Sequence, residues 1–254
     1  MRTISLILAL LLLGASLSFA EEQSSPSMLA GFKAGLGGSI TTNEYKDMSG
    51  DVIALPLLGY EGEYLYLRGV AGGIHFFRNE WLELNAQLSY MPQHFYADQS
   101  DDWAMRRLND RYSSLFGGFN GRILSEYGIL SATISTDLLG YSNGILVDAS
   151  YSYPLDLGRV KLAPTVGMQW TDANYNRYYY GIDHGEASRS HLKYYEPDSA
   201  CSPYAQLSAS MGITENWSAF GSVRAMFLSP AITDSPMVGT GEKYSFSLGA
   251  LYSF

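Results

Sequence analysis

The chain has 254 residues, of which 46% are hydrophobic and only 16% are charged, and its formal net charge is −9 at pH 7. This acidic balance excludes nucleic acid as a partner, because binding to phosphates needs clustered basic side chains. Mean hydropathy is −0.05. Beyond the first twenty residues no run of 18 apolar residues occurs, which excludes a membrane protein built from helices.

The first twenty residues have the pattern of a secretory signal peptide. Arg2 precedes an apolar run from Ile4 to Leu13, and the small residues Ser18 and Ala20 stand at positions −3 and −1 of a cut after Ala20. The apolar run is too short to span a bilayer comfortably. We therefore predict that residues 1–20 are a signal peptide and that residues 21–254 form one exported domain.

The rest of the chain alternates apolar with small or polar residues. The pattern is clear at 30–41 and 82–90, and it recurs at 130–138 and 145–153 on either side of Asn143-Gly144. Because side chains on a strand point alternately to opposite faces, each run has one face for lipid and one for a polar lumen. Backbone amides in hydrocarbon must be paired internally, so we predict an all-β fold, an antiparallel transmembrane β-barrel.

The number of strands follows from counting the alternating segments. We find eleven, whereas a barrel with both termini in the periplasm needs an even number. We therefore expect one segment between residues 50 and 92 to be merged or split, and a barrel of ten to twelve strands. The longest connections, 93–111, 172–201 and 229–242, then lie outside the cell. The segments are 29–42, 50–60, 63–77, 80–92, 112–124, 127–139, 144–154, 159–171, 202–213, 216–228 and 243–254.

The last segment, Lys243 to Phe254, alternates almost without interruption. Its even-numbered residues are apolar and mostly aromatic, while serine and glycine occupy most of the odd positions. An aromatic residue that closes the final strand is typical of bacterial outer-membrane barrels. We therefore take Tyr252 and Phe254 as a membrane-insertion signature, which predicts the outer membrane of a Gram-negative bacterium as the location and its lipid as a partner.

The predicted lumen carries charges of both signs. Lys33 and Arg224 fall on lumen faces, as do Glu83, Asp137 and Asp148. Such charges more often pair across a lumen than conduct ions. A barrel of ten to twelve strands is also narrow, because the lumen widens with strand number. The sequence therefore predicts a closed lumen more than an open one.

The connection 172–201 is crowded with tyrosine, at positions 175, 178, 179, 180, 194 and 195. Aromatic crowding of this kind marks either a recognition surface or packing in the mouth of the barrel. We favour packing, with partner contact as the alternative. Gly181 and a helical pattern from Glu186 to Leu192 predict an ordered lid.

Three sequence features could indicate chemistry. Ser142-Asn143-Gly144 resembles part of an outer-membrane phospholipase motif, but the His that would activate the serine is missing because position 140 is Gly. His184 and His191, with Asp183 and Glu186, could be imagined as a metal site, but a solvated polar loop is the more ordinary interpretation. Cys201 stands alone and is predicted to be a small residue at the junction of a loop and a strand, with an intermolecular disulfide as the alternative. We predict no catalytic, cofactor-binding or metal-binding residues.

Three stretches resemble the MipA/OmpV family of outer-membrane proteins, named after a protein that interacts with MltA. This chain departs from the pattern of the family at Met48-Ser49-Gly50. The matching residues are Tyr45-Lys46-Asp47 with Ala54-Leu55-Pro56-Leu57 and Tyr64 to Gly69, then Tyr178-Tyr179-Tyr180-Gly181 with Ala187-Ser188-Arg189-Ser190 and Tyr194, and then Asp234-Ser235-Pro236 before Tyr252-Ser253-Phe254.

The resemblance implies a scaffold that brings a murein transglycosylase and a penicillin-binding protein together for enlargement of peptidoglycan. It also marks a family-motif loop set, consisting of Tyr179, Tyr180, Gly181, Ser190, Asp234, Ser235 and Pro236. Other family members look like general outer-membrane proteins, so a narrow channel for small solutes and a surface adhesin are alternatives. Short periplasmic turns would leave a periplasmic partner little surface besides the rim, residues 21–27 and the last strand.

Overall fold

The computed structural model describes residues 31–254, so the predicted signal peptide lies outside the described residues. The described chain is a single antiparallel sheet that closes on itself. The strands are β1 (Phe32–Thr41), β2 (Asp51–Glu61), β3 (Leu65–Arg68), β4 (Ala71–Arg78), β5 (Leu82–Met91), β6 (Ser114–Ser125), β7 (Gly128–Asp137), β8 (Ile145–Ser152), β9 (Leu155–Leu157), β10 (Val160–Thr171), β11 (Ala200–Gly212), β12 (Trp217–Phe227) and β13 (Glu242–Ser253).

The barrel has twelve strands, because β8 and β9 are two parts of one strand. Both pair with β10 in a continuous register, in which Ser152 faces Thr165 and Leu155 faces Leu162. The interruption falls at Pro154, which has no N–H to donate to a ladder. Pairing of β1 with β13, from Lys33 opposite Ser253 onward, closes the ring. The predicted barrel is confirmed, with the larger of the two even strand numbers.

The miscounted segment was indeed between residues 50 and 92. The predicted strand 63–77 is two strands, β3 and β4, joined at Gly69, whose φ of 62° lies in the left-handed region. The alternation of side chains along the sequence continues through this turn. In the structure Leu67 and Gly72 face each other across the hairpin. The sequence pattern therefore missed a reversal that only the glycine marked.

The strand β3 is only four residues long, and this leaves part of its neighbour unpaired. On that side β2 pairs through Gly59 to Glu61 alone, so the edge from Asp51 to Leu58 has no strand partner within residues 31–254. Pro56 lies in this stretch. Because Glu61 donates its N–H towards β1 and donors alternate along a strand, position 56 faces the free edge, where proline's missing N–H removes one unpaired donor.

The two faces of the sheet have the predicted polarity. Phe246 and Leu248 of β13 are 50% and 59% exposed on the outside, whereas Ser247 between them is buried. On the lumen side, Arg122 bonds Glu83 at 2.9 Å, and Arg224 lies 4.0 Å from Asp148. The Glu83 pair joins the neighbouring strands β5 and β6, so only the contact of Arg224 with Asp148 reaches past intervening strands, as predicted. Two other predicted lumen charges behave differently, since Asp137 accepts N–H bonds from the 138–144 loop and Lys33 is exposed.

The connections differ strongly in length between the two ends of the barrel. One end has only short turns, at 62–64, 79–81, 126–127, 158–159 and 213–216, and the other carries the long segments 42–50, 92–113, 172–199 and 228–241. The long segments predicted at one end do lie together, and the rule of short periplasmic turns assigns that end to the outside of the cell. They contain α1 (Ala173–Tyr180), α2 (His184–Ser190), α3 (Pro230–Thr233) and two 3₁₀ turns (Ala97–Gln99 and Met105–Arg107). No helix of the described chain is long and apolar enough to cross a bilayer.

Glycines allow the strands to approach closely, which gives a test of the fold. A Cβ on Gly118 of β6 would collide with the Ile134 carbonyl oxygen, whereas a Cβ on Gly212 would meet nothing within 4 Å. We expect Gly118→Val to lower the free energy of unfolding by about 1–3 kcal/mol or more, as overpacking does. Gly212→Ala should leave it nearly unchanged. Thermal unfolding followed by circular dichroism measures both, and equal effects would contradict the assigned register.

Candidate functional site: the cap over the outer mouth

The family-motif loop set lies in a cap formed by the extracellular segments. The two helices of the cap are fixed by their own sequence. The Asp172 side chain accepts the Tyr175 N–H at 3.0 Å and begins α1, and Asp183 begins α2 with a capping box to Glu186. Gly181 ends α1 where a Cβ would collide with the Arg177 carbonyl oxygen. The predicted helical pattern at 186–192 is real but begins two residues earlier, while α1 was not predicted.

The cap has a hydrophobic core of its own. Its central side chains are wholly buried, among them Phe95, Tyr179 and Met237 at 0% exposure. The four long connections all contribute, so the core ties segments distant in sequence into one body over the barrel mouth. The buried apolar residues are Tyr45, Phe95, Ala97, Met105, Leu108, Phe116, Leu146, Tyr175, Tyr179, Tyr180, Ile182, Ala200, Ile232 and Met237.

The tyrosines that the sequence singled out pack in the mouth, as we favoured. The Tyr179 hydroxyl donates to the Tyr112 carbonyl oxygen at 3.0 Å, and the Tyr180 hydroxyl donates to Glu44 Oε1 at 3.0 Å. The Tyr45 hydroxyl donates to the Tyr179 carbonyl oxygen at 3.1 Å. A buried hydroxyl needs such a partner, so each tyrosine fills space and also fixes a backbone position. Tyr194, by contrast, is 40% exposed.

The remaining family-motif residues hold the last connection against α1. The Ser235 hydroxyl donates to the Tyr180 carbonyl oxygen at 2.7 Å and accepts the Met237 N–H at 3.2 Å. Asp234 ends α3, and Pro236 stands between two buried residues. In α2, the Ser190 hydroxyl donates to the Glu186 carbonyl oxygen at 2.6 Å. The structure therefore gathers this residue set in the cap, where its contacts are intramolecular.

A buried ion pair that sequence reasoning missed holds the centre of the cap. Arg111 donates from Nη2 to both carboxylate oxygens of Glu186, at 2.9 and 3.0 Å, and to the Gly181 carbonyl oxygen at 3.3 Å. The side chains are 8% and 1% exposed. The sequence indicates Glu186 as a helical residue and as a conceivable metal ligand, and Arg111 stands 75 positions away. No local pattern joins them.

A second buried charge fastens the cap to the barrel wall. Lys243 at the outer end of β13 places its Nζ 3.0 Å from Glu44 Oε2 and donates to Gln93 Oε1 at 2.9 Å. Gln93 in turn donates to Glu44 Oε1 at 2.6 Å. Burial alone would raise the pKa of the Glu44 carboxyl, but the Lys243 ammonium and the hydrogen bonds hold that pKa below its ordinary value. Glu44 is therefore ionised and paired.

The insertion signature lies at the opposite, periplasmic rim. The Tyr252 ring packs edge-on against the rings of Trp217 and Phe254, with centroid distances of 5.4 and 5.0 Å. The Phe254 N–H donates to the Phe32 carbonyl oxygen at 3.2 Å, which continues the closing ladder. These three rings form part of an aromatic belt at the level of the lipid headgroups. An effect on insertion stays a prediction.

The residues considered for chemistry have separate partners. The Ser142 hydroxyl donates to Asp137 Oδ2 at 2.9 Å inside the loop between β7 and β8. The His184 ring stacks on Tyr194, and the His191 ring stacks on Trp103. Among residues 31–254 no three His, Cys, Asp or Glu side chains are grouped to hold a metal ion. Cys201 is exposed near the start of β11, at the loop-to-strand junction that was predicted.

Comparison with known proteins gives consistent relatives. The family model described as "MltA-interacting protein MipA" matches residues 34–254. The chain is 36% identical over 223 residues to the MltA-interacting protein of Escherichia coli (strain K12), covering 88% of this chain and 90% of that one. It is 32% identical over 220 residues to YiaT of the same organism, named as an outer membrane protein, covering 87% and 89%. It is 25% identical over 162 residues to outer membrane protein OmpV of Vibrio cholerae, covering 64% and 63%.

We expect the buried Arg111–Glu186 pair to hold the cap rigid. Arg111→Met leaves Glu186 buried without a counter-charge, which costs about 3–5 kcal/mol in comparable pairs. Arg177→Met is the matched control, because its pair with Glu196 is half exposed and worth about 0–1 kcal/mol. Hydrogen exchange should become much faster at 173–190 in Arg111→Met alone. Equal exchange in the two variants would show that the pair does not hold the cap.

Burial raises the pKa of the phenols of Tyr45, Tyr175, Tyr179 and Tyr180 above the ordinary value. The unfolded chain loses these protons near pH 10, whereas the folded cap keeps them. Their contribution to stability is therefore complete below about pH 10 and is lost as the pH rises above it. Ultraviolet titration of tyrosinate should show a group that ionises only when the cap opens. Ionisation of all 20 tyrosines in one reversible step near pH 10 would contradict the assigned burial.

Proposed function

Because the chain belongs to the MipA family of outer-membrane proteins, we propose that it is a non-catalytic adaptor for peptidoglycan enlargement. In this role it holds a lytic transglycosylase, together with a penicillin-binding protein, at the periplasmic side of the outer membrane. The name of the Escherichia coli relative, MltA-interacting protein, supports the first partner. The penicillin-binding protein and the contact with outer-membrane lipid rest on the family resemblance and on the apolar outer face.

The observation that carries the proposal is the packed cap. Phe95, Tyr179 and Met237 are wholly buried over the outer mouth, and Lys243, Glu44 and Gln93 join the cap to the wall. A channel needs a continuous wet path, and a core with buried ion pairs would have to unpack to provide one. The cap therefore favours a protein that acts by contact over a narrow channel for solutes.

The periplasmic end supplies the surface for that contact. Four of its five turns carry an exposed carboxylate, and within residues 31–254 none of these four forms an ion pair with a basic side chain. A regular acidic rim favours a partner with a basic face and a contact that weakens with salt. Three exposed aromatic side chains, Tyr64, Trp81 and Tyr127, add area at the same rim. The four carboxylates are Glu63, Glu80, Glu126 and Glu215.

The proposed absence of catalysis rests on the site chemistry. Ser142 donates to Asp137 and accepts the Gly144 N–H at 3.1 Å, so its hydroxyl organises a turn. A serine nucleophile is activated by an adjacent base such as histidine. The partner of Ser142 is instead the Asp137 carboxylate, whose Oδ2 also accepts the backbone N–H groups of Ser142 and Asn143. The His184 and His191 rings stack on Tyr194 and Trp103 in the cap. Relatives are named as interacting or outer-membrane proteins, which agrees with this proposal.

A capture experiment tests the adaptor. The folded chain in lipid nanodiscs is presented to purified lytic transglycosylase and purified penicillin-binding protein, and binding is measured by surface plasmon resonance at several salt concentrations. We expect saturable binding of the transglycosylase that weakens as salt rises. Neutralising the rim by Glu63→Gln, Glu80→Gln, Glu126→Gln and Glu215→Gln should weaken it strongly.

The control neutralises exposed acids at the other end of the barrel. Asp47→Asn, Asp98→Asn, Asp101→Asn and Asp198→Asn remove the same number of charges from the extracellular side. Binding should be unchanged in this variant. Absence of saturable binding, or equal losses in both variants, would contradict docking on the periplasmic rim.

A further inference from the structure

An open cavity of about 480 Å³ lies in the extracellular surface of the cap. It is formed where the end of the 92–113 connection meets the end of α1, the start of α2 and residues 194–196. The volume falls within the range of small-molecule sites. This cavity lies at the opposite end of the barrel from the proposed docking rim, so its function does not depend on the adaptor proposal.

The floor of the cavity is rigid. It consists of the Arg111–Glu186 pair with Gly181 and Ile182, all of which are buried. Arg111 also donates from Nη1 to the Asn109 carbonyl oxygen at 2.8 Å, so its guanidinium is committed to intramolecular partners. The floor therefore does not offer a free cation to a phosphate or carboxylate.

The walls are aromatic. Tyr178 and Tyr194 stand on the lining, together with Tyr195. The Tyr194 ring is held by stacking on His184, with centroids 4.2 Å apart, and its hydroxyl donates to Glu196 Oε2 at 2.6 Å. Since Tyr194 remains 40% exposed, part of its ring is available to a ligand. An ordered and exposed aromatic face is a platform for the apolar C–H face of a ring-shaped ligand.

The rim carries polar groups with unused capacity. Asp183 accepts the Glu186 N–H through Oδ1, and Asp110 accepts the Ala97 N–H at 2.9 Å through Oδ1. The second oxygen of each carboxylate accepts no hydrogen bond from the described part of the chain. Asn109 uses only its Oδ1, towards Arg189, which leaves its amide N–H groups as donors. Carboxylate oxygens can accept hydrogen bonds from hydroxyl groups on adjacent ring carbons, and the amide N–H groups can donate to them.

The charges of the lining disfavour an anionic ligand. Arg111 is neutralised by Glu186, and Arg177 is neutralised by Glu196, with atoms 2.9 Å apart in each pair, whereas Asp110 and Asp183 have no basic partner within residues 31–254. The hydroxyl groups of an uncharged ligand would donate to these two carboxylates without breaking either ion pair. We propose that this cavity binds a saccharide of one or two rings, with a sugar ring on Tyr194 and its hydroxyls on Asp110, Asp183 and Asn109.

Two sources could supply such a ligand, namely the sugars of neighbouring lipopolysaccharide and glycans outside the cell. The test uses the full mature chain in nanodiscs and saturation-transfer NMR. The probes are an uncharged two-ring fragment of the lipopolysaccharide core and a panel of methyl glycosides of glucose, galactose, mannose and N-acetylglucosamine. Saturable binding of the core fragment that is tighter than binding of every methyl glycoside assigns the site to the membrane's own sugars. Tighter binding of a methyl glycoside than of the core fragment assigns it to external glycans.

Variants connect the signal to the cavity. Tyr194→Ala should weaken binding by about tenfold or more, as expected for an aromatic anchor. Asp183→Asn keeps a residue suited to the start of α2 and should weaken binding less. Tyr153→Ala removes a similarly exposed tyrosine from the outer face of the barrel, outside the cap, and should change nothing, and circular dichroism checks the fold of each variant. No saturable binding by any probe, or binding that is insensitive to Tyr194→Ala, would overturn the proposal.

Discussion

Closure of the backbone hydrogen-bond ladder within hydrocarbon is the constraint on which the rest of this structure depends. Unpaired amides are costly in lipid, so the sheet closes through the pairing of β1 with β13, and within residues 31–254 the edge of β2 from Asp51 to Leu58 is left without a strand partner. Closure then dictates the alternation of side chains, which places Phe246 and Leu248 outside and the Arg122–Glu83 pair inside. It also explains why a chain of nearly neutral hydropathy can reside in a membrane.

The ring itself does not decide whether a barrel conducts or only makes contacts. That depends on the cap, where the long extracellular connections form a second core above the mouth. Tyr45, Tyr179 and Tyr180 link separate connections through hydrogen bonds to backbone and carboxylate groups. Lys243 connects this core to the last strand through Glu44. The protein therefore has a packed cap with its own cavity at one end and a rim of short, mostly acidic turns at the other.

Much of this architecture could be predicted from the sequence, because alternation with a period of two is strong and local. The lumen charges Arg224 and Asp148 were placed on the correct face by parity alone, and the long connections fell at the extracellular end. The β3–β4 hairpin was missed because alternation continues through Gly69. Local sequence gave no sign of α1, whose first turn is fixed by Asp172.

Contacts between distant segments lay beyond sequence reasoning. Arg111 and Glu186 belong to different connections, and Glu44 meets Lys243 only because β1 and β13 are neighbours in the closed ring. The sequence pattern also does not distinguish a tyrosine that packs in the core of the cap from a tyrosine whose side chain is exposed to a ligand. The structure separates them, with Tyr179 buried and Tyr194 exposed.

Single-channel recording in a planar bilayer measures whether the cap closes the barrel. The refolded mature chain is compared with a variant in which a short glycine-serine linker replaces residues 173–198. We expect no discrete conductance steps from the intact chain and discrete steps from the variant without this part of the cap. Regular conductance steps from the intact chain would contradict a closed outer mouth and would favour a small channel.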